Sequence, residues 1–232
     1  MSDPRPLRLL LVEDDAVIGE ATQLHLERHD YAVTWVQDGL EAWKVFTSPD
    51  RTFDLVLSDV MLPGIDGVTL TRRVREAGPT PVVLVSARTD ALDVVGGLEA
   101  GADDYVTKPF DIQVLLARLR SVVRRSELSP ERAPGHHDVR QLGDVSLDRQ
   151  SLEVRRDGRP VALTPTEMRL LLELAETPGR VVTRRALLSR VWDYEEWQDD
   201  AHLVNVHVQR LRAKIGQDRI ETVRGFGYKL RA

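Results

Sequence analysis

The first half of the chain carries apolar runs too short to be helices, at 7–12, 33–36, 55–57, 81–85 and 105–106. Several are apolar at consecutive positions, so both of their faces need cover, as in the strands of a parallel sheet held between helices. Between the runs lie stretches of helical length. The clearest is 111–125, where Ile112, Leu115, Leu119, Val122 and Val123 form one stripe and Val114, Arg118 and Arg125 another. Five strand-then-helix units in succession predict an α/β domain with a doubly wound five-stranded parallel sheet, which binds ligands beyond the carboxyl ends of its strands. The fourth predicted helix, 90–100, holds Gly96-Gly97 in its interior. Each interior glycine costs about 1 kcal/mol relative to alanine, so this helix is expected to be marginal, as suits an element that moves.

The pattern breaks at 126–137 (SELSPERAPGHH), where two prolines, one glycine and little apolar content read as an exposed linker. His136-His137 reads there as a solvated pair rather than a metal site. Residues 139–163 alternate, with a turn signal at Arg156-Asp157-Gly158, and predict a small antiparallel sheet. Thr164-Pro165-Thr166-Glu167 then opens a helix, with Thr164 as N-cap, Pro165 in the first helical position and Glu167 completing a capping box. Pro178-Gly179 ends it. Helical patterns follow at 183–192 and about 202–215, and a hairpin spans 220–230 around Gly225-Phe226-Gly227. The expected organisation is therefore a domain over 1–125, a linker over 126–137 and an α+β domain over 138–232.

Composition narrows the function. The chain of 232 residues is 42% hydrophobic and 30% charged, ordinary for a folded protein with a real core, and it has no cysteine, which excludes disulfides and thiolate metal sites. No apolar run approaches a membrane span and the start lacks a signal-peptide pattern, so a cytoplasmic protein without a membrane partner is expected. The net charge of −5 is unevenly spread: 14 Lys/Arg against 21 Asp/Glu over 1–130 give −7, and 18 against 16 over 131–232 give +2. From 202 onward seven basic residues face two acidic ones. An acidic half and a basic end point to a cation site in one and a polyanion partner for the other.

The chemistry falls at strand ends. The first predicted strand runs into Glu13-Asp14-Asp15, the third ends at Asp59, the fourth at Ser86 and the fifth at Lys108-Pro109. A doubly wound sheet brings these points to one rim. Clustered carboxylates repel each other and need a cation, and hard oxygen ligands favour Mg²⁺. Asp59 would then be a nucleophile that accepts a phosphoryl group as an acyl phosphate, with Lys108 and the Ser86 hydroxyl holding the phosphate. The plainer alternative for Glu13-Asp14-Asp15 is a solvated loop or helix cap.

The words LLLVEDD (9–15), LSDVMLPGIDG (57–67), VLVSAR (83–88) and GADDYVTKPF (101–110) together resemble the receiver domain of two-component response regulators, a flavodoxin-like fold. The resemblance implies Asp59 as phosphoacceptor, Glu13, Asp14, Asp59 and the Met61 carbonyl as Mg²⁺ ligands, and Ser86, Tyr105 and Lys108 as switch residues. Asp15 lies one place beyond the acidic pair and reads as a neighbour. A phosphate adds close to two negative charges, enough to draw Ser86 inward and free space for Tyr105.

At the basic end, Val204, Val208, Leu211 and Ile215 form a narrow apolar stripe on the helix over 202–215. The other faces carry His202, Leu203, Asn205, His207, Gln209, Arg210, Arg212 and Lys214, side chains that can read base edges or hold phosphates in a major groove. The hairpin adds Thr222 for a phosphate and Arg224 for a minor groove. Through LTPTEMRLL, VVTRRALLSRVW, VNVHVQRLRAKI and ETVRGFGYKL, residues 138–232 resemble the winged helix-turn-helix domain of the OmpR/PhoB subfamily. That resemblance implies Arg210 as the leading base contact, with Leu203, Asn205, His207, Arg212, Thr222 and Arg224 as further DNA contacts. His202 stands where relatives often have arginine. The acidic 192–200 loop, with Trp197, would face away from DNA; the resemblance implies a contact to RNA polymerase there, and a plain solvated loop with Trp192 in the core is the equal alternative.

The expectation is a transcription factor phosphorylated on Asp59 by a partner histidine kinase, which then dimerises and binds promoter DNA. Relatives pair symmetrically through helix four, strand five and helix five, with a basic residue on helix four facing a glutamate on helix five. Aligned on Gly97 and Lys108, those places are Val94 and Val114 here, and a second pair is kept as Asp104 with Arg118. Two rivals are weaker. A phosphatase would need a general acid near Asp59, where Met61 stands two places on; a bare phosphotransfer module would have no use for a basic helix and hairpin. Beyond slow autodephosphorylation, no enzymatic activity is expected.

Overall fold

The structure, a computed structural model, describes residues 5–87, 91–126, 139–194 and 201–231. The chain divides after Val123 into two compact units. The first alternates strand and helix throughout: β1 (Leu7–Val12), α1 (Ala16–Glu27), β2 (Tyr31–Val36), α2 (Gly39–Phe46), β3 (Leu55–Asp59), α3 (Gly67–Ala77), β4 (Val82–Ser86), α4 (Ala91–Glu99), β5 (Asp104–Thr107) and α5 (Ile112–Ser126). The strands form one parallel sheet in the order β2-β1-β3-β4-β5. Successive strand residues point to opposite faces, and the core splits accordingly. Leu9, Leu11, Leu57 and Val85 pack with Leu26 of α1 and with Leu115, Leu116 and Leu119 of α5. Leu10, Val12 and Val56 pack with Ala42 of α2 and with Leu70 and Val74 of α3. Strands buried on both faces explain the continuous apolar runs, and the expected doubly wound five-stranded sheet is the observed one.

The second unit opens with an antiparallel sheet of β6 (Val139–Leu142), β7 (Val145–Asp148), β8 (Glu153–Arg156) and β9 (Arg159–Pro160). Then come α6 (Pro165–Glu176), β10 (Val182–Thr183), α7 (Arg184–Trp192), α8 (Ala201–Ile215), β11 (Ile220–Val223) and β12 (Gly227–Leu230). The capping box is present as expected: Glu167 N donates to Thr164 Oγ1 at 3.3 Å, and Thr164 N donates back to Glu167 Oε2 at 2.9 Å. Thr183 caps α7 in the same way, Ala186 N donating to its hydroxyl at 3.1 Å. Leu170, Leu171 and Leu174 of α6, Leu187 and Val191 of α7, and Val204, Val208 and Leu211 of α8 are buried, as is Trp192. The hairpin of β11 and β12 is extended by β10 into three strands, which the sequence pattern did not predict. Among the described residues no helix is long and apolar enough to cross a membrane. The linker expected over 126–137, His136-His137 included, lies outside the described residues apart from Ser126.

Candidate phosphoacceptor site and nucleic-acid interface

The register of the sheet assembles the acidic rim. Val12 of β1 pairs with Ser58 of β3, so the next residues, Glu13 and Asp59, stand side by side where the two strands end. Glu13 and Asp59 are buried, Asp14 is exposed, and ligand oxygens from all three lie within 4.8 Å of one another. Lys108, just past β5, donates to Glu13 Oε1 and Oε2 at 2.9 and 2.7 Å and forms a short ion pair with Asp59 Oδ2. Asp59 Oδ1 accepts from the Met61 amide at 2.7 Å, which fixes the carboxylate plane.

Three carboxylates against one ammonium leave two negative charges when all are ionised. Burial raises the Glu13 carboxyl above the ordinary glutamate value, and Lys108 lowers it back only in part. Burial also works against the Lys108 ammonium, but its hydrogen bonds to Asp59 and Glu13 outweigh that and hold its pKa above the ordinary lysine value. The donor set fits a hard divalent cation in charge, atom type and spacing. Asp15 is not in the group: it caps α1, accepting from the Val17 and Ile18 amides at 2.9 and 3.0 Å.

Ser86 is fully buried at the end of β4, and its carbonyl accepts from the Lys108 amide at 2.7 Å. Tyr105 is buried on β5. The two glycines of α4 differ. Gly96 has open space around it, whereas a Cβ at Gly97 would stand 2.8 Å from Leu84 Cδ1 and 3.4 Å from the Tyr105 ring. Gly97 therefore lets α4 lie against the Tyr105 ring. Val94 of α4 is half-buried and Val114 of α5 is 38% exposed. Asp104 and Arg118 pair within the chain at 3.0 Å.

On α8 the structure corrects the sequence reading. The buried face is wider than the four-residue stripe. Leu203 and His207 are buried, and His207 lies 5.2 Å from the Trp192 ring, so neither side chain is presented to a groove. Arg210, the expected leading base contact, is only 14% exposed and pairs with the buried Glu167 of α6 at 3.2 Å. Lys214 joins the same carboxylate at 2.6 Å. As folded, Arg210 ties α8 to α6. His202 and Gln209 are exposed on α8, and Asn205 and Arg212 half-buried.

A second cluster joins α8 to the hairpin. Arg212 donates to the Ile220 carbonyl at 2.9 Å and to Thr222 Oγ1 at 2.8 Å. The Tyr228 hydroxyl donates to Asn205 Oδ1 at 2.6 Å, and Arg184 donates to the same oxygen at 3.3 Å. The guanidinium carbons of Arg184 and Arg212 lie 5.1 and 5.8 Å from the Tyr228 ring centre. Arg184 and Tyr228 were not singled out from the sequence; an arginine at the start of a helix and a tyrosine in a strand carry no local signal of this meeting. Thr222 and Arg224 are exposed on the hairpin. Trp192 is buried, and Trp197 lies outside the described residues.

Comparison with known proteins agrees with both halves. Residues 9–120 match the response regulator receiver domain family, and 158–230 match the family of transcriptional regulatory protein C-terminal domains. The chain is 58% identical over 231 residues to the transcriptional regulatory protein CseB of Streptomyces coelicolor, covering 97% of each chain. It is a transcriptional response regulator of the OmpR/PhoB type. The DNA-binding response regulator MtrA of Mycolicibacterium smegmatis is 42% identical over 227 residues, 96% of each chain. Among solved structures, the response regulator DrrB of Thermotoga maritima, an OmpR/PhoB homolog, is 31% identical with a TM-score of 0.51 over 98% of this chain and 100% of that one. Glu13, Asp14, Asp59 and Lys108 lie in the stretch that matches the receiver family, and α8 with the β11–β12 hairpin in the stretch that matches the regulatory C-terminal family.

Proposed function

We propose that Asp59 accepts a phosphoryl group from a partner histidine kinase and that this controls binding of the second unit to promoter DNA. The observation that carries the reading is the buried Asp59 carboxylate, spaced with Glu13 and Asp14 for a divalent cation and paired with Lys108. In the transfer an Asp59 oxygen forms a bond to phosphorus as the bond from phosphorus to the donor's imidazole nitrogen breaks, leaving an acyl phosphate. Lys108 exchanges its carboxylate partner for the new phosphate oxygens, and Ser86 and Tyr105 respond to them. Glu13, Asp14, Asp59 and the Met61 carbonyl would hold Mg²⁺, which neutralises phosphoryl oxygens when bound.

The DNA-facing set is proposed as the exposed His202 and Gln209 with Asn205 and Arg212 of α8, and with Thr222 and Arg224 of the wing. Dimerisation through Val94, Asp104, Val114 and Arg118, a cytoplasmic location and a contact from the 192–200 stretch to RNA polymerase complete the proposal. Incubation with acetyl phosphate and Mg²⁺ should add a single phosphoryl group by intact-mass spectrometry, and Asp59→Asn should abolish it. Full labelling of Asp59→Asn, or labelling that survives metal chelation, would sink the assignment.

A further inference from the structure

The end of β2 closes over the backbone of the acidic pair. The Glu13 amide donates to the Val36 carbonyl at 3.1 Å, and Trp35 Nε1 donates to the Glu13 carbonyl at 2.9 Å. Gln37 Nε2 adds a longer bond to the Asp14 carbonyl, at 3.3 Å. On the far side Asp15 is fixed as the cap of α1. Glu13 is thus held at both its amide and its carbonyl before its carboxylate meets Lys108.

The indole lies in a slot that exists because residue 19 is glycine. A Cβ there would stand 2.2 Å from Trp35 Cζ2 and 2.7 Å from Nε1. An indole has a single donor and no acceptor, so the packing of its ring determines which carbonyl it holds. Glu13, Asp14 and Asp59 repel one another, and a loop free to relax would carry the first two away from the third. The bonds from β2 oppose that relaxation.

We propose that Trp35, seated on Gly19, is a positioning residue that keeps Glu13 preorganised for the divalent cation. The proposal rests on reading the acidic rim as a cation site. A pin of this kind sets cation affinity without supplying a ligand, so its loss should be overcome by more metal.

Trp35→Phe keeps a ring in the slot and removes the N–H. With the full chain, binding of Mn²⁺ as a paramagnetic stand-in is followed by electron paramagnetic resonance, and phosphorylation by acetyl phosphate is titrated with Mg²⁺. The expected result is a Kd for Mn²⁺ and a half-saturating Mg²⁺ concentration each raised about three- to tenfold, with the rate at saturating Mg²⁺ within about twofold of wild type. Unchanged metal affinity in a variant that melts like wild type would overturn the proposal, as would a fall in the saturated rate with affinity intact. If Trp35→Phe fails to fold, Gly19→Ala, whose Cβ displaces the indole, is read by the same criteria. Wild-type protein that binds no Mn²⁺ would instead overturn the cation site itself.

Discussion

Asp54 stands just before β3, and its carboxylate fastens the start of that strand to the start of β1. Oδ2 accepts from the Arg8 amide at 2.9 Å and from Arg8 Nε at 3.3 Å, and Oδ1 faces Arg5 and Arg8 guanidinium nitrogens, each at 3.3 Å. Burial alone would raise its pKa, but the hydrogen bonds from Arg8 outweigh it and set the folded value below the ordinary aspartate one. A folded pKa below the unfolded one contributes stability above the unfolded value, about 4, and loses it as pH falls through the folded value. Asp54→Asn should therefore cost roughly 0.5–1.5 kcal/mol at pH 7 in urea unfolding, since it removes hydrogen bonds and partly exposed ion pairs. The gap between variant and wild type should narrow as pH drops below about 4. A gap of the same size at both ends would show that the charge contributes nothing. This pairing was not legible in the sequence, because Arg8 and Asp54 lie in separate segments and meet only once the sheet forms. The rim was legible for a different reason: strand ends are visible as the ends of apolar runs, and parallel topology brings them together whatever the helices do.

At the scale of the helix, α8 shows where periodicity misleads. The stripe at 204, 208, 211 and 215 is buried as read, but treating histidine as polar concealed the burial of His207 beside Trp192. Glu167 was read for its local role, the capping box, which spans the four residues from Thr164 to Glu167. Its ion pairs with Arg210 and Lys214 bridge α6 to α8, and no local pattern announces a partner that distant. β10 escaped for want of length, since two residues show no period; it exists through pairing with β12. Two variants separate the roles of the arginines. Arg210→Ala leaves Glu167 with one cation at a fully buried carboxylate, so unfolding free energy should drop by about 1–3 kcal/mol. Arg224→Ala, on the exposed turn of the wing, should change stability by no more than about 0.5 kcal/mol. It should flatten the slope of log K against log salt for DNA, because an arginine in a minor groove displaces counterions with its charge. Denaturant melts and a salt series of DNA titrations decide between them. A stable Arg210→Ala protein would remove the helix-tethering role, and an unaltered salt slope for Arg224→Ala would remove Arg224 from the DNA.

For the whole molecule, the proposed consequence of phosphorylation rests on how two receivers meet. The face of α4, β5 and α5 carries a half-buried Val94 and a Val114 that is 38% exposed, at the places where the family resemblance implies a basic residue and a glutamate. Asp104 and Arg118 pair inside the chain at 3.0 Å. An exposed ion pair is worth about 0–1 kcal/mol, and burial of apolar surface, at about 25 cal/mol per Å² removed from water, can more than replace it. A dimer seam built on the two valines should then be less sensitive to salt than a charge-paired one, because apolar contacts are not screened. The alternative is that both valines serve only their own domain, for which the half-burial of Val94 against its neighbours is the argument. Val94→Asp separates the two. In a symmetric interface every substitution appears twice, so the variant would place two unpaired carboxylates in the seam. Sedimentation of the phosphorylated variant should show monomer while mass spectrometry still shows Asp59 labelled, and wild type should remain dimeric as salt is raised. A labelled Val94→Asp protein that dimerises as tightly as wild type would put the seam on another face, and loss of labelling would show that the substitution had damaged the receiver rather than its pairing.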